Sequence, residues 1–522
     1  MTRKSLAVRL GRCATAASLS ILLLAAGAGA QIGGAPAPPT ASQANPLPLS
    51  GRSAQGGGVV AAESPVPSTT TSVNTLNPTV SVQGAYTGST NSTAHMAFSG
   101  KLSLAEAIQR GTRFNLGAVG MAQAILQLQG QARAARSALL PNVRADVSDT
   151  EETFNLNTIG FNFNFPGVVI PSLVGPFNVL DLRARLSQTV LDFTSLNNYR
   201  AAKESARASQ LSAQDSQDLV VLAVAGAYLQ VIAAEARLES AQAQLETAQT
   251  LYSRTQGQLK FGKATQIDVN RSQVEVLLDQ QRLTTLQDDL AKQKINLARL
   301  TGLPPNANYE LSSDIAYAPA PALAMDAAIK QALDQRADLK AAEAQVRAAE
   351  RALAAAHAER LPSGSVNSDY GEIGPPSGLR RTYTVAGTLN VPIWNGGRTA
   401  ADIQQAEAAL TQRRAEVEDT RGQIESEVRN AFLDLQGAAN QVEVAKQNIE
   451  LMGKTLEQTR QRFDAGVSEN YQVVQSQESV SGANLDYIDS VFAHNIAKLS
   501  LVRALGNASG QLDQFLSIQP RH

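Results

Sequence analysis

Two stretches of the sequence, 204 residues apart, repeat one pattern and decide the fold. Residues 227–266 read AYLQVIAAEARLESAQAQLETAQTLYSRTQGQLKFGKATQ, and residues 431–470 read AFLDLQGAANQVEVAKQNIELMGKTLEQTRQRFDAGVSEN. Neither stretch contains proline, and each has a glycine near its end, Gly262 or Gly466. Apolar and small residues recur in both at spacings of three and four, which is typical of long helices that pack side by side. The sequence therefore predicts one long helix in each copy of an internal repeat.

The repeat continues on both sides of these helices. RLTG at 299–302 recurs as RALG at 503–506, and Leu140-Pro141 recurs as Leu361-Pro362. Composition and repeat boundaries together divide the chain into six segments. These are a signal peptide at 1–30, a low-complexity disordered leader at 31–98, a first repeat at 99–302, a linker at 303–322, a second repeat at 323–508 and a C-terminal tail at 509–522.

The first thirty residues have the pattern of a secretory signal peptide. Basic residues precede an apolar stretch from Ala14 to Ala26, and Ala28-Gly29-Ala30 provides a small-residue cleavage site. The apolar stretch is shorter than the ~20 residues of a membrane-spanning helix. The leader that follows is rich in Pro, Gly, Ser and Thr and nearly uncharged, so we expect it to be disordered. A plug or an arm that contacts the cell wall is the alternative for this leader.

Each copy also carries two stretches with strand spacing between its helices. From Val179 to Val190, and again near 379–391, apolar and polar residues alternate. Partner strands are expected near 143–153 and 363–371. A strand of about ten residues with one apolar face suits a transmembrane β-barrel. Four strands cannot close a barrel, so several chains would have to share one.

Composition argues against several classes of function. The chain has 45 Lys+Arg against 46 Asp+Glu, so it has no basic field for binding nucleic acid. Its one cysteine, Cys13, cannot form an internal disulfide, and the histidines at 95, 357, 494 and 522 are scattered. We find no phosphate-binding glycine loop and no metal-ligand cluster in the sequence. We therefore expect no enzyme activity, no cofactor and no metal centre.

The duplicated plan resembles the TolC family of outer-membrane efflux ducts over residues 100 to 508. The motifs that carry the resemblance are Leu361-Pro362 before a strand, VPIWNGGR at 391–398 after it, and RFDAGV at 462–467 at the end of the second long helix. The family implies a mostly α-helical chain with membrane β-strands, in which a trimer shares a twelve-stranded β-barrel that continues into a long α-helical tunnel across the periplasm. It implies passive conduction, with a periplasmic adaptor and an inner-membrane pump of the RND, ABC or MFS type as partners.

The resemblance also assigns residues near the two glycines. In the family, these turns line the closed periplasmic entrance and contact the adaptor. The matching positions are Phe261, Gly262, Lys263 and Ala264 in the first copy, and Ala465, Gly466, Val467 and Ser468 in the second. Where the type member has two aspartates beyond the second turn, this chain has Gln472 and Gln475. Asp268 or Glu469 could supply the acidic constriction instead, while the alternative for Asp268 is a helix-start residue that favours the helix dipole.

Two other functions remain open at this level. A secreted structural or adhesive coiled coil would explain the heptads and the signal peptide, but not the strand pairs. A soluble periplasmic adaptor would share the long helical hairpins and would not need strands with lipid-facing spacing. A separate question is whether Leu219–Ala234 spans a membrane. This stretch is apolar but short for a membrane helix, so we expect it to be buried between helices.

Overall fold

A computed structural model describes residues 59–66, 75–90, 98, 100–160, 171–315, 317–465, 467–506, 508–516 and 518–520. The predicted signal peptide lies outside these residues. The structure is mostly helical. Its helices are α1 (Leu104–Phe114), α2 (Leu116–Ser137), α3 (Phe193–Lys260), α4 (Gln266–Thr301), α5 (Met325–Gln335), α6 (Ala337–Ala358), α7 (Arg398–Asp464), α8 (Asn470–Ala504) and α9 (Ala508–Phe515).

The strands form several small sheets and one larger one. They are β1 (Val59–Val66), β2 (Thr75–Val82), β3 (Lys101–Leu102), β4 (Asn142–Asn155), β5 (Leu173–Leu191), β6 (Glu310–Leu311), β7 (Ser313–Ile315), β8 (Ser363–Gly374), β9 (Arg380–Asn390) and β10 (Ile518–Pro520). The larger sheet has the strand order β4-β5-β8-β9. These four strands overlap the four stretches in which strands are expected from the alternating pattern.

The described residues group into two compact units. One comprises the described parts of 143–185 and 368–385, which contain most of the larger sheet. The other comprises the α-helices, the smaller sheets and the ends of the larger sheet's strands. Apolar and polar residues alternate along the sheet strands. On β4, for example, Val143 and Val147 are exposed, while Asp146 between them lies 3.2 Å from Arg185 on β5.

The helical unit is built around two long helices that occupy equivalent places in the repeats. α3 has 68 residues and α7 has 67, so each is about 100 Å long. In the half that ends at the two glycine turns, α3 packs against α4 and α8, and α8 packs against α7. The helices therefore lie in the order α4-α3-α8-α7. In the other half, α3 packs against α2 and α6, and α6 packs against α7.

The centre of the helical unit is the apolar part of α3. Every residue from Val220 to Leu229 is buried, and the hydroxyl of Tyr228 donates a hydrogen bond to the carbonyl oxygen of Leu102 at 3.0 Å. α3 is long and apolar enough to span a membrane, but most of its apolar part is buried against the protein. Burial between helices, as expected for Leu219–Ala234, is therefore what the structure shows.

The prediction of disorder at 31–98 is wrong for part of the leader. β1 and β2 pair as an antiparallel hairpin, and Tyr86 is buried with its hydroxyl 2.9 Å from that of Ser216. The linker and the tail also have regular structure, because β7 of the linker pairs with β10 of the tail. β7 and β10 are more than 200 residues apart in the chain, and a search for local periodicity does not detect such a pairing.

Candidate functional site

The first glycine turn joins α3 to α4 through a regular helix cap. The amide of Gly262 donates to the carbonyl of Leu259 at 3.0 Å, and that of Lys263 donates to Gln258 at 2.9 Å, the two bonds of a Schellman motif. Gly262 has φ +68°, a left-handed conformation that disfavours side chains with a Cβ atom. Thr265 then begins α4 in a capping box with Asp268. We call residues 261–268 the first tip.

The described part of the second turn shares one backbone hydrogen bond with the first turn, but α8 has no side-chain cap. The amide of Val467 donates to the carbonyl of Arg462 at 2.9 Å, which matches the bond from Lys263 in the first tip. Gly466 lies outside the described residues. Glu469 precedes α8 without a side-chain cap, in contrast to Thr265. We call residues 465–475 the second tip.

The tips expose large apolar side chains. Phe261 is 81% exposed and Val467 is 70% exposed, and Ile267 and Tyr471 are also exposed. Lys263 and Ala465 are exposed, while Ala264 and Ser468 are half-buried. An exposed apolar patch on a soluble surface is a common mark of a protein-protein contact. Ile267 and Tyr471 belong to this patch but were not singled out from the sequence.

The polar residues of the tips form two groups. Asp268 belongs to a helix cap, whereas Glu469, Gln472 and Gln475 are exposed. The Asp268 carboxylate accepts hydrogen bonds from the backbone amide of Thr265 at 2.9 Å and from its hydroxyl at 2.7 Å. Asp268 therefore takes part in the cap that begins α4. The Gln472 side chain hydrogen-bonds the hydroxyl of Ser468.

A buried asparagine brings the two tips together. Asn470, at the start of α8, donates through Nδ2 to the carbonyl of Asp268 at 3.3 Å and to the hydroxyl of Ser272 at 3.1 Å. A further pair joins α3 to α7, because Arg254 Nη2 lies 2.5 Å from Asp464 Oδ1. Sequence reasoning missed Asn470. Its equivalent in the first copy is Gln266, so the repeat offers no signal for it.

A cavity of about 520 Å³ lies above the tips, between α3, α4, α7 and α8. Its lining includes four carboxylates, those of Glu239, Glu275, Asp279 and Glu478, and one guanidinium, that of Arg460. Asp279 is buried, and burial raises its pKa. Burial and the charges of Asp279 and Glu478 raise the pKa of Glu275. Among the described residues, no cluster of His, Cys, Asp and Glu could hold a metal ion.

Known proteins with similar sequences belong to one family of membrane proteins. The family model for "Outer membrane efflux protein" matches residues 119–303 and 328–507, which are the two repeats. The chain is 27% identical to the pyoverdine export outer membrane protein OpmQ of Pseudomonas putida over 326 residues, which cover 59% of this chain and 67% of that protein. It is 26% identical to the outer membrane protein OprJ of Pseudomonas aeruginosa over 342 residues, 63% of this chain and 67% of OprJ.

A solved structure shares the fold. The outer membrane channel CmeC of Campylobacter jejuni superimposes with a TM-score of 0.67 at 15% identity, over 79% of this chain and 88% of CmeC. The match to the family model spans more than half of the chain and includes both repeats and both tips. The chain therefore belongs to the outer membrane efflux protein family, the TolC family of outer-membrane channels.

Proposed function

We propose that three copies of this chain assemble into one channel with a shared twelve-stranded β-barrel and a helical tunnel. Substrates would cross it passively, delivered by a periplasmic adaptor and driven by an inner-membrane pump of the RND, ABC or MFS type. The observation that carries this proposal is that both the sheet and the helix layer are open at their edges. A second copy of the chain would cover the groups at each edge.

The sheet supports the proposal through its two edge strands and its two faces. β4 and β9 each pair with a single neighbour in the larger sheet. Their outer backbone groups would be unsatisfied in lipid, where open sheet edges do not occur. One face of the sheet is apolar and exposed, at positions such as Val143, Tyr383 and Val385. The opposite face carries ion pairs such as Arg183–Asp369, as expected for a water-filled interior.

The helix layer has matching open edges. α4 and α7 are the outer helices in the order α4-α3-α8-α7. Both carry exposed apolar residues at near-heptad spacing: Ile267, Val274, Leu277, Leu278 and Ile295 on α4, and Leu433, Val444 and Leu451 on α7. Such stripes on two outer helices favour packing of α7 in one copy against α4 in the next. Three repetitions would close the layer into a tube.

The tips are the proposed contact with the adaptor. Phe261, Gly262, Lys263 and Ala264, with Ala465, Val467 and Ser468, would form the apolar surface that an adaptor covers. Gly466 is included on the basis of its sequence position. Asp268 and Glu469, with Gln472 and Gln475, would lie at the entrance, where three copies place their carboxylates around one axis and favour cations.

Disulfide trapping tests the assembly. Leu277 lies 11 residues after the start of α4 and Leu451 lies 13 before the end of α7, so both lie roughly 15–20 Å from the tip ends of their helices. They are 61% and 60% exposed. The double variant Leu277→Cys/Leu451→Cys should give covalent trimers on mild oxidation. Cys13 lies in the predicted signal peptide, so the mature chain provides a cysteine-free background.

Two controls make this test decisive. Each single cysteine variant should stay free of trimers. The double variant Val269→Cys/Leu451→Cys should also fail to crosslink, because Val269 is buried on the inner side of α4. A chain that remains monomeric in the Leu277→Cys/Leu451→Cys variant, or one that stays soluble without detergent, would contradict the proposed assembly.

Single-channel conductance tests the entrance. In planar bilayers the wild-type protein should give small, cation-selective openings that millimolar divalent cations block. Asp268→Asn keeps the size of the side chain and removes its charge, so it should weaken the divalent block if Asp268 forms the ring. An unchanged block in Asp268→Asn, together with a lost block in Glu469→Gln, would assign the ring to Glu469.

A further inference from the structure

The sequence VPIWNGGR at 391–398 joins β9 to α7 and exposes two large apolar side chains. Gly396 and Gly397 turn the chain there with φ +70° and +88°, left-handed values that favour glycine. Ile393 is 94% exposed and Trp394 is 87% exposed. These are the two most exposed large apolar side chains in the part of the chain that the structure describes. An exposed apolar surface of this kind is typical of a binding surface.

Ile393 continues an apolar stripe that runs along β9. Tyr383, Val385, Leu389 and Val391 precede it at spacings of two or four residues, and each is more than half exposed. Residues two apart on a strand lie on the same face. In the proposed barrel this face is turned toward lipid. Pairing of β9 with a neighbouring copy uses backbone groups at the edge and leaves the stripe uncovered, because strand side chains stand roughly perpendicular to the sheet.

Two exposed arginines lie beside the end of this stripe. Arg360 follows α6, and Arg398 begins α7. The ends of these two helices are adjacent, because the Thr399 hydroxyl donates a hydrogen bond to the Glu359 carboxylate at 3.4 Å. Arg360 forms no ion pair with any residue that the structure describes, and Nε of Arg398 lies 3.8 Å from Oδ2 of Asp402. Both guanidinium groups are therefore available to an external anion.

The first repeat lacks this pair of arginines at its equivalent junction. Leu139 occupies the position of Arg360, and α3 begins with Phe193-Thr194-Ser195, none of which is basic. The nearest basic residue before β4 is Arg136, six residues ahead of the strand, whereas Arg360 lies three residues ahead of β8. Arg360 and Arg398 are therefore features of the second repeat and not requirements of the shared fold.

We propose that residues 391–398 and Arg360 bind the headgroup of an anionic phospholipid at the periplasmic edge of the outer-membrane bilayer. Ile393 and Trp394 would insert beside the headgroups, the level at which tryptophan is enriched in membrane proteins. Arg360 and Arg398 would donate paired hydrogen bonds to the phosphate, which suits the planar guanidinium group. This proposal rests on the proposed function, because it requires β9 to lie in the membrane.

Trp394 is the only tryptophan in the sequence, so its fluorescence tests this proposal without a label. The full chain is reconstituted in phosphatidylcholine vesicles with a minor fraction of brominated lipid, because bromine quenches tryptophan on contact. Bromine near the headgroup should quench Trp394 more than bromine near the end of the acyl chain. Brominated phosphatidylglycerol, which is anionic, should quench about fivefold more per lipid than brominated phosphatidylcholine, since each arginine near a membrane surface favours anionic lipid by about that factor.

Charge removal separates lipid recognition from simple insertion. Arg360→Gln/Arg398→Gln should make the two brominated lipids quench Trp394 equally. Arg136→Gln is the matched control, because it removes an exposed arginine near the end of α2, further from its strand. This control should keep the preference for phosphatidylglycerol. A preference that survives in Arg360→Gln/Arg398→Gln, or that is lost in Arg136→Gln, would overturn the proposal.

Crosslinking in the same vesicles separates this proposal from the proposed assembly. The reconstituted chain then also carries Leu277→Cys/Leu451→Cys. Covalent trimers in which no brominated lipid quenches Trp394 would show that another copy covers the junction, and would overturn this proposal alone. Quenching that prefers phosphatidylglycerol in a protein that forms no trimers would support this proposal and contradict the proposed assembly.

Discussion

The two repeats contain equivalent joints that use different chemistry. Asn115 separates α1 from α2, and Arg336 separates α5 from α6. Their backbones are nearly the same, with φ −61° and ψ 135° at Asn115 and φ −58° and ψ 130° at Arg336. Both residues are buried. The first joint is therefore held by a neutral amide and the second by a charged guanidinium.

The partners at the two joints explain how each buried polar group is satisfied. Asn115 donates to the carbonyl of Tyr86 at 2.8 Å and accepts from the amide of Gly117 at 2.9 Å. Arg336 binds Asp338 at 2.6 Å through Nη2 and also binds Glu427 on α7. Burial acts to raise the pKa of Asp338, but the hydrogen bonds and charge of Arg336 outweigh it and lower the pKa. Duplication has thus kept the backbone of the joint while its side chains have diverged.

The largest expected difference between the joints comes from removing the guanidinium. Arg336→Met removes the ion pairs to the half-buried carboxylates of Asp338 and Glu427, which should cost about 3 kcal/mol, since hydrogen bonds to charged groups contribute about 1.5–3 kcal/mol each. Asn115→Ala at the first joint removes neutral hydrogen bonds and should cost about 1–3 kcal/mol. Native-state hydrogen exchange of amides in α6 and α2 would measure both losses. Equal losses at the two joints would show that charge adds nothing there.

The two repeats should also differ in their sensitivity to acid, because His494 in the second repeat occupies the position of Leu290 in the first. Its pKa in the folded protein is depressed from 6.5 to about 4, so its stabilising contribution is present above pH 6.5 and is lost as the pH falls toward 4. The depression corresponds to about 3 kcal/mol. His494→Leu introduces the residue of the first repeat and should remove this loss. In thermal unfolding from pH 7.5 to 4, the melting temperature of the wild type should fall relative to that of His494→Leu as the pH drops, and a constant difference would contradict the prediction.

The tips should differ in their response to loss of an amide side chain. Asn470→Ala removes the contacts to Ser272 and to the Asp268 carbonyl, and should cost about 1–2 kcal/mol locally. Its equivalent, Gln266, is exposed, and its side chain donates a hydrogen bond to Asn270 within its own helix. Gln266→Ala should therefore change little. Faster hydrogen exchange in the first turn of α8 in Asn470→Ala alone is the expected result, and equal rates in both variants would contradict it.

The smallest effect concerns the caps of the tips. Thr265 and Asp268 form a capping box that the second tip lacks. The double variant Glu469→Thr/Gln472→Asp transfers this box to α8 and should stabilise its first turn by about 1 kcal/mol. Thr265→Ala should destabilise the first turn of α4 by a similar amount. In Glu469→Thr/Gln472→Asp, the amide hydrogen-exchange rates of the first turns of α4 and α8 should become alike. Unchanged exchange rates in the first turn of α8 would contradict this prediction.

Much of the fold could be predicted because the signals for it are local. The helix period in residues 227–260 and 431–464, the glycine after each helix and the alternation in β5 and β9 all arise within a few residues of one another. Tyr86 and the β1–β2 hairpin were missed because the surfaces that they pack against come from distant parts of the chain: β2, for instance, packs against α8 and α3. Ser216, for example, is 130 residues from Tyr86. A Pro- and Gly-rich composition alone does not reveal such partners.

By itself, the sequence determined the duplication, the two long helices, the four amphipathic strands and the positions of the tips, since each depends on periodicity or on a residue that suits a turn. Only the tertiary structure decided which polar groups meet. It placed Asn470 against α4, Arg336 against Glu427, and Lys498 against the carbonyl of Ala318. The physical reason is that a helix presents its side chains by local geometry, whereas the partner of a buried charge depends on which distant helix packs against it.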